Sequence, residues 1–332
     1  MSIRKKAGRL QVIIAAVLLA VGALVLPASA EPVVAQQENP CTPNQSNFLP
    51  SWQTVYDDRG VTLCLGSFAP TEPLPVEAYL QIIDLEAGAK LRLVKECAEP
   101  CISDDHPYNT EVQFNKRTAQ GWFDWIGGNV SIPSPNSLFS VANASFLVDT
   151  SADTTALSLP HIHNIINEPT QIAALPTAGW AFKHNDDYAW DALKRALMIG
   201  DARATSQDVW IEEFATHYTE SDLIPIYSNS RGDATVGFQP LYGVVDPEAR
   251  RTFVGVVPGS KVFILSTRAQ LTLEEANGIV QSFGSSMAIQ LDGGASTQMQ
   301  FETPDGQSGG IESSIPVFPR EVPDVLAVYL AP

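Results

Sequence analysis

Basic residues are scarce in this chain. Its 332 residues carry 20 lysines and arginines against 37 aspartates and glutamates, a formal net charge of −17. A surface that acidic repels nucleic acid and anionic membrane faces, so neither is an expected partner. Histidines number only five, and the one close pair is His161-x-His163. Two imidazoles on one face of an extended strand suit a metal. No third ligand is evident, however, so no metal and no other cofactor is assigned. His184 and His217 have no recognisable partners. Cysteines number four (Cys41, Cys64, Cys97 and Cys101), all in the first third of the chain. Their spacing is not that of a zinc knuckle, which leaves disulfides in an oxidising compartment. Three connectivities are open. In one of them Cys97 and Cys101 close a tight loop, and Cys41 with Cys64 ties the N-terminal tail to the first strand. No internal repeat is visible at solenoid periods.

Long apolar runs are equally few, and the one present is at the start. Arg4, Lys5, Lys6 and Arg9 precede an apolar stretch from Leu10 to Leu26, and Ala28-Ser29-Ala30 supplies a small-x-small cleavage site. Residues 1–30 therefore read as a secretory signal peptide, with an uncleaved anchor as the alternative. Four of the basic residues and none of the acidic ones lie there, so the remainder is more acidic still. A secreted or cell-envelope location follows, with no membrane span after cleavage. Residues 31–50, rich in Pro, Gln and Asn, read as a flexible tail. Residues 51–332 are long enough to bury a large core as one domain.

Within that domain strands outnumber helices. Glu77–Leu85 and Lys90–Glu96, joined by Glu86-Ala87-Gly88, read as a β-hairpin. Thr118–Ile126 reads as a short helix or an aromatic-rich loop. Leu138–Leu147 is apolar around one polar centre, Asn143. Asp187–Ile199 reads as a helix with Trp190, Leu193, Leu197 and Met198 on one face. Arg251–Val257, Lys261–Ser266 and Val325–Leu330 read as strands rich in β-branched residues. Thr272-Leu273-Glu274-Glu275 fits a capping box, apolar residues follow at helical spacing to Phe283, and Gly284 closes the helix. Met287–Leu291 is then a short buried strand. The class is α+β: a mixed β-sheet core with a C-terminal βαβ unit whose strands are expected to be parallel.

The last strand of that unit ends on Asp292-Gly293-Gly294-Ala295-Ser296-Thr297. One acid at a strand end, two glycines that allow positive φ or close approach, and two hydroxyl residues make a polar floor at the mouth of a sheet. The plainer alternative is a turn, since Asp-Gly is common turn chemistry.

Leu291-Asp292-Gly293-Gly294-Ala295-Ser296-Thr297-Gln298 resembles the LDGGGST signature of the phosphodiester glycosidase family. Val141-Ala142-Asn143-Ala144-Ser145-Phe146 resembles that family's Asn-Gly-Gly-Phe-Phe strand end, Arg251-Thr252-Phe253-Val254-Gly255 its Arg-Thr-Ala-Val-Gly strand, and Arg320-Glu321-Val322-Pro323-Asp324 its closing Arg-x-Val-Pro-Asn. The motifs fall in the expected order over roughly residues 77–329, and four together are more specific than any one. Ala144, Ser145, Ala295 and Asp324 depart from the pattern, and an alanine at 295 tolerates less backbone approach than glycine.

The resemblance implies a hydrolase for the sugar–phosphate bond of a glycosyl-1-phosphodiester, acting on a phosphorylated glycan or glycoconjugate. Such cleavage passes through an oxocarbenium-like state and releases a phosphate monoester. Asp292 is then nucleophile, base for water or electrostatic stabiliser. Arg251 matches phosphate oxygens with two hydrogen bonds, with Arg320 second, although pairing with a surface carboxylate is the ordinary fate of an arginine in so acidic a chain. Asn143 holds sugar hydroxyls or orients Asp292, or else satisfies a neighbouring backbone group. Thr252, Gly293, Gly294, Ser296 and Thr297 complete the expected substrate contacts. The alternative function is a non-catalytic extracytoplasmic carbohydrate-binding or envelope-associated module, motivated by the departures at Ala144, Ser145 and Ala295.

Overall fold

The computed structural model describes residues 39–68, 76–96, 114–129, 137–149, 154–157, 161–163, 194–202, 204–213, 233–240, 248–315 and 319–332. In chain order the elements are β1 (Ser51–Asp58), β2 (Val61–Ser67), β3 (Ala78–Asp84), β4 (Lys90–Lys95), β5 (Phe114–Asn115), α1 (Ala119–Gly128), β6 (Leu138–Asn143), β7 (Leu147–Asp149), β8 (Thr154–Leu157) and β9 (His161–His163). They continue with β10 (Lys194–Ile199), β11 (Val209–Glu213), β12 (Asp233–Phe238), β13 (Thr252–Val257), β14 (Lys261–Thr267), α2 (Leu273–Ser282), β15 (Met287–Gln290), β16 (Met299–Glu302), β17 (Ser308–Ile311) and β18 (Asp324–Tyr329).

Two sheets carry the core. The larger runs β1-β2-β3-β14-β13-β15-β12-β10-β11, with β9 also on β12; the smaller runs β17-β16-β6-β18-β4. Period-two alternation gives each strand two faces. Val254 and Val256 of β13, Val262 and Ile264 of β14 and Ile289 of β15 meet Leu326 and Val328 of β18 between the sheets. Phe253, Phe263, Leu265 and Ala288 point the other way, under Leu273, Ala276, Ile279 and Val280 of α2. On the outer face of the smaller sheet, Trp122 and Ile126 of α1 cover Val141, Val325 and Ala327. The layers are thus helix, sheet, sheet, helix. The third, three-stranded sheet is β5-β8-β7.

Both helices start where the sequence allows. Thr118 accepts from the Gly121 amide ahead of α1. At Thr272 the full capping box forms, with Glu275 accepting from the Thr272 amide at 2.9 Å. Gly284, at φ +105, ends α2 as a left-handed residue that only glycine adopts easily.

Four expectations change. The hairpin of β3 and β4 does not form: β3 pairs with β2 and β14, while β4 pairs with β18 in the other sheet. Both strands are buried almost throughout, so both edges of β3 are taken and the turn carries the chain across the core instead. The expected helix over Asp187–Ile199 is a strand from Lys194 onward, and residues 187–193 lie outside the described set. Leu197 and Ile199 reach the inter-sheet core with period two, and pairing to β11 and β12 overrides the helical reading. β14 and β15 run parallel, but β13 inserts between them and pairs antiparallel with both. Every described strand pair is antiparallel, so the strand ending at Asp292 keeps the expected direction but hydrogen-bonds only to antiparallel neighbours. Finally, the part of the expected tail within the described residues is anchored: Cys41 and Leu49 are buried with Trp52 on the helix-covered face of the larger sheet.

Cys41 is bonded to Cys64 of β2, across a sequence separation of 23. Cys97 and Cys101 lie outside the described residues. Closing a loop of that length restricts the unfolded chain, so replacing both Cys41 and Cys64 by alanine should lower unfolding stability by about 2–4 kcal/mol. Denaturant titration of the double variant measures this. A free energy indistinguishable from the parent's would show that the crosslink contributes nothing.

Candidate active site

β15 delivers Asp292 to the end of the larger sheet, where β6 of the smaller sheet also ends. The Leu291 amide donates to Thr252 O at 3.0 Å, the last rung of the β13–β15 ladder. The Asp292 amide then leaves that ladder and donates to Ala144 O at 3.0 Å, and the Gly294 amide donates to Arg250 O at 2.8 Å. The Asp-Gly-Gly turn is therefore held from both sheets. At Gly293 a Cβ would lie 3.0 Å from Arg250 O, a tight contact that favours glycine. Gly294 is needed because its φ is +62. Ala295 has no such constraint and sits in the single 3-10 turn Gly294–Ser296, so alanine costs no backbone strain there.

Asn143 is the fastener. It has 0% exposure, and its Nδ2 donates to Asp292 O at 2.6 Å. Its Oδ1 accepts from Thr252 Oγ1 at 2.8 Å and from the Gln298 amide at 3.1 Å. The Asp292 atom it meets is the backbone carbonyl, the contact expected of a buried amide that satisfies a neighbouring backbone group. Thr252, expected against substrate, spends its hydroxyl on Asn143. Gln298 extends the frame: its Nε2 donates to Arg320 O at 2.6 Å and its Oε1 accepts from the Ala119 amide at 3.2 Å. Nothing but its place after the motif marked Gln298 in the sequence.

The Asp292 carboxyl is partly exposed. Burial pushes its pKa up from 3.8 to about 6. The Ser296 hydroxyl, the Arg320 charge and the Gly293 amide oppose that rise, and the Asp324 charge adds to it. The Gly293 amide lies 2.9 Å from Oδ1. Asp292, Ser296 and Arg320 are thus brought together. Thr297 is buried beside them, and among the described residues its hydroxyl makes no hydrogen bond. Arg251 is placed differently. It is 6% exposed, and its Nε donates to Leu271 O at 2.8 Å. Strand alternation puts it on the face of Phe253, opposite to Thr252 and Asn143. Among the described residues no cluster of three or more His, Cys, Asp or Glu is arranged to hold a metal. The side chains of His161 and His163, and the whole of His184 and His217, lie outside the described set.

Comparison with known proteins bears on the same residues. Residues 229–329 match the model of the phosphodiester glycosidase family. That segment holds three of the four motifs, from Arg251, Leu291 and Arg320; the Asn143 motif lies outside it. No curated protein matches the chain. Among solved structures it is similar to the catalytic domain of zebrafish N-acetylglucosamine-1-phosphodiester alpha-N-acetylglucosaminidase, auto-inhibited by its pro-peptide, at 12% identity and a TM-score of 0.49 over 85% of this chain and 88% of that one. It is also similar to a hypothetical protein from Synechocystis, at 14% identity and a TM-score of 0.38 over 85% of this chain and 64% of that one.

The raised Asp292 pKa has a stability consequence with a definite sign. A carboxyl whose folded pKa lies above its unfolded one favours the fold while protonated, and that advantage is lost as pH rises from about 4 through about 6. Asp292→Asn removes the half-buried charge and keeps the acceptor for Gly293. It should be more stable than the parent at pH 8 by on the order of 1–3 kcal/mol, with the gap closing near pH 4. Melting curves across that range test it; a variant less stable than the parent at pH 8 would contradict the cost assigned to the charge.

Proposed function

We propose that this protein is an extracytoplasmic hydrolase that cleaves the sugar–phosphate bond of a glycosyl-1-phosphodiester. The observation that carries the reading is Asp292: a partly exposed carboxylate held rigidly at a strand end, with the Arg320 charge beside it and glycine amides on its turn. The family match over residues 229–329 supports the reaction class, and the Cys41–Cys64 disulfide supports an oxidising compartment. No helix among the described residues is long and apolar enough to cross a membrane.

In this reading the sugar lies over Asp292, and its anomeric carbon gains positive charge as the bond to the phosphate oxygen lengthens. The bonding pair leaves with the phosphate, which departs as a monoester anion and needs little general-acid help. Arg320 faces that anion, while the Gly293 and Gly294 amides hold the turn through Asp292 Oδ1 and Arg250 O. Arg251, on the opposite face, braces the strand end through Leu271. Water completes the reaction: its oxygen bonds to the anomeric carbon and its proton goes to a carboxylate, so the products are free sugar and phosphate monoester. The configuration of the released sugar separates the two direct roles of Asp292, retention marking a covalent glycosyl-Asp292 and inversion marking water activated by it.

A panel of sugar-1-phosphate diesters with the purified chain is the test. Free reducing sugar should appear with phosphate left on the other product. Asp292→Asn should lower kcat by about a thousandfold or more, and Arg320→Ala should lower kcat/KM by about a hundredfold. Binding of phosphorylated glycans without product across the panel would instead mark a binding module. Because Asp292 acts ionised in every one of these roles, kcat should fall about tenfold per pH unit below its pKa of about 6. A profile flat from pH 7 to pH 4 would exclude Asp292 from the chemical step.

A further inference from the structure

β18 opens on Asp324, which has 0% exposure. Its carboxylate is engaged on both oxygens by one residue: Oδ1 accepts from the Ser145 amide at 2.9 Å and Oδ2 from the Ser145 hydroxyl. Ser145 Oγ also meets Thr235 Oγ1 at 2.7 Å, which ties β12 of the larger sheet to the pair. Lys95 stands directly opposite Asp324 in the β4–β18 register, with its Nζ 5.6 Å from the centre of the Phe114 ring. Asp233 closes the cluster, accepting from the Leu93 amide at 3.2 Å. A buried charge is tolerated only when paired and hydrogen-bonded, so a carboxylate this deep calls for a reason. Ser145 and Asp324 are also two of the positions where the chain departs from the family motifs, and here they are each other's partner.

The path from that pair to Asp292 is short. Ala144, next to Ser145, accepts from the Asp292 amide, and Asn143 donates to the Asp292 carbonyl. Asn143 also faces Val325, next to Asp324, in the β6–β18 register. We propose that Asp324 is a positioning residue for Asp292: by gripping Ser145, with Lys95 opposite it in the β4–β18 register, it fixes the Ala144 carbonyl that anchors the Asp292 amide. Among the described residues the charged groups around this link are few. Asp292 is faced by Arg320 from the segment ahead of β18 and by Asp324. Asp324 is faced by Lys95, and Lys95 by Asp324 and Asp233. Burial pushes the Lys95 ammonium down to about 7, against the pull of both aspartates. Lys95 is therefore still largely charged where Asp292 titrates.

The inference rests on Asp292 acting in the reaction proposed above, and a direct titration separates the two. Carbon-13 NMR of the aspartate carboxyls in the whole protein, with the Asp292 signal assigned through Asp292→Asn, reads its midpoint without any activity. Asp324→Asn should lower that midpoint by about half a pH unit, with the acid limb of kcat moving alongside and KM little changed. Lys95→Gln, which leaves the Asp324 charge unbalanced, should raise it. Ser145→Gly should lower kcat about tenfold by loosening the anchor, and the Ser145→Gly/Asp324→Asn pair should be no worse than Ser145→Gly alone, because the two act through one contact. An Asp292 midpoint unmoved in both charge variants overturns the inference, as does a fully additive double variant. A moving midpoint in a protein whose turnover survives Asp292→Asn supports the Asp324 link and places the failure in the proposed reaction.

Discussion

The Asn143 side chain is the contact on which the site depends. It lies at the end of β6 in the smaller sheet, yet its partners are the Asp292 carbonyl, the Thr252 hydroxyl and the Gln298 amide. A buried primary amide must satisfy its polar atoms or cost the fold stability, and here it does so by bridging two sheets at the point where their hydrophobic contact ends. Strand ends are where sheets fray, so a site built there needs a fastener of this kind. Gln298 does the same one step further out, linking the motif to the start of α1 and to Arg320.

Around that frame the chain buries two carboxylates, Asp324 and Asp233, and half-buries Asp292 and Lys95. Asp292, Asp324, Asp233 and Lys95 lie near one end of the inter-sheet layer, and burial works against the ionised form of Asp292, Asp324 and Lys95 alike. The apolar layers carry the stability that offsets this: Val, Ile, Leu and Phe alternate through β13, β14, β15 and β18, and two amphipathic helices seal the outer faces.

Much of this was legible beforehand, for identifiable reasons. The α2 helix is announced by local chemistry, a capping box and a glycine stop, and local chemistry survives folding. β13, β14, β15 and β18 are short β-branched runs between turn signals, and they stand almost as read. Asp292 was legible because an acid followed by two glycines is a local pattern with a backbone meaning. The helix expected to end at Ile199 failed because a short apolar run reads equally well with either period until a neighbour supplies hydrogen bonds. The β3–β4 hairpin failed because a turn shows that the chain reverses, not which sheet receives it.

What the sequence determined by itself, then, is whatever one segment decides alone: the helix caps, the glycine turn at Asp292, the alternation of each strand, the acidic balance and the four ordered motifs. The tertiary structure decided what depends on two distant segments meeting. It placed β13 between β14 and β15, turned Arg251 toward Leu271, spent Thr252 on Asn143, and set Ser145 against Asp324 with Lys95 opposite. No local signal encodes these, because each is fixed by which edges remain free to pair and by which buried polar groups must find a partner across the core.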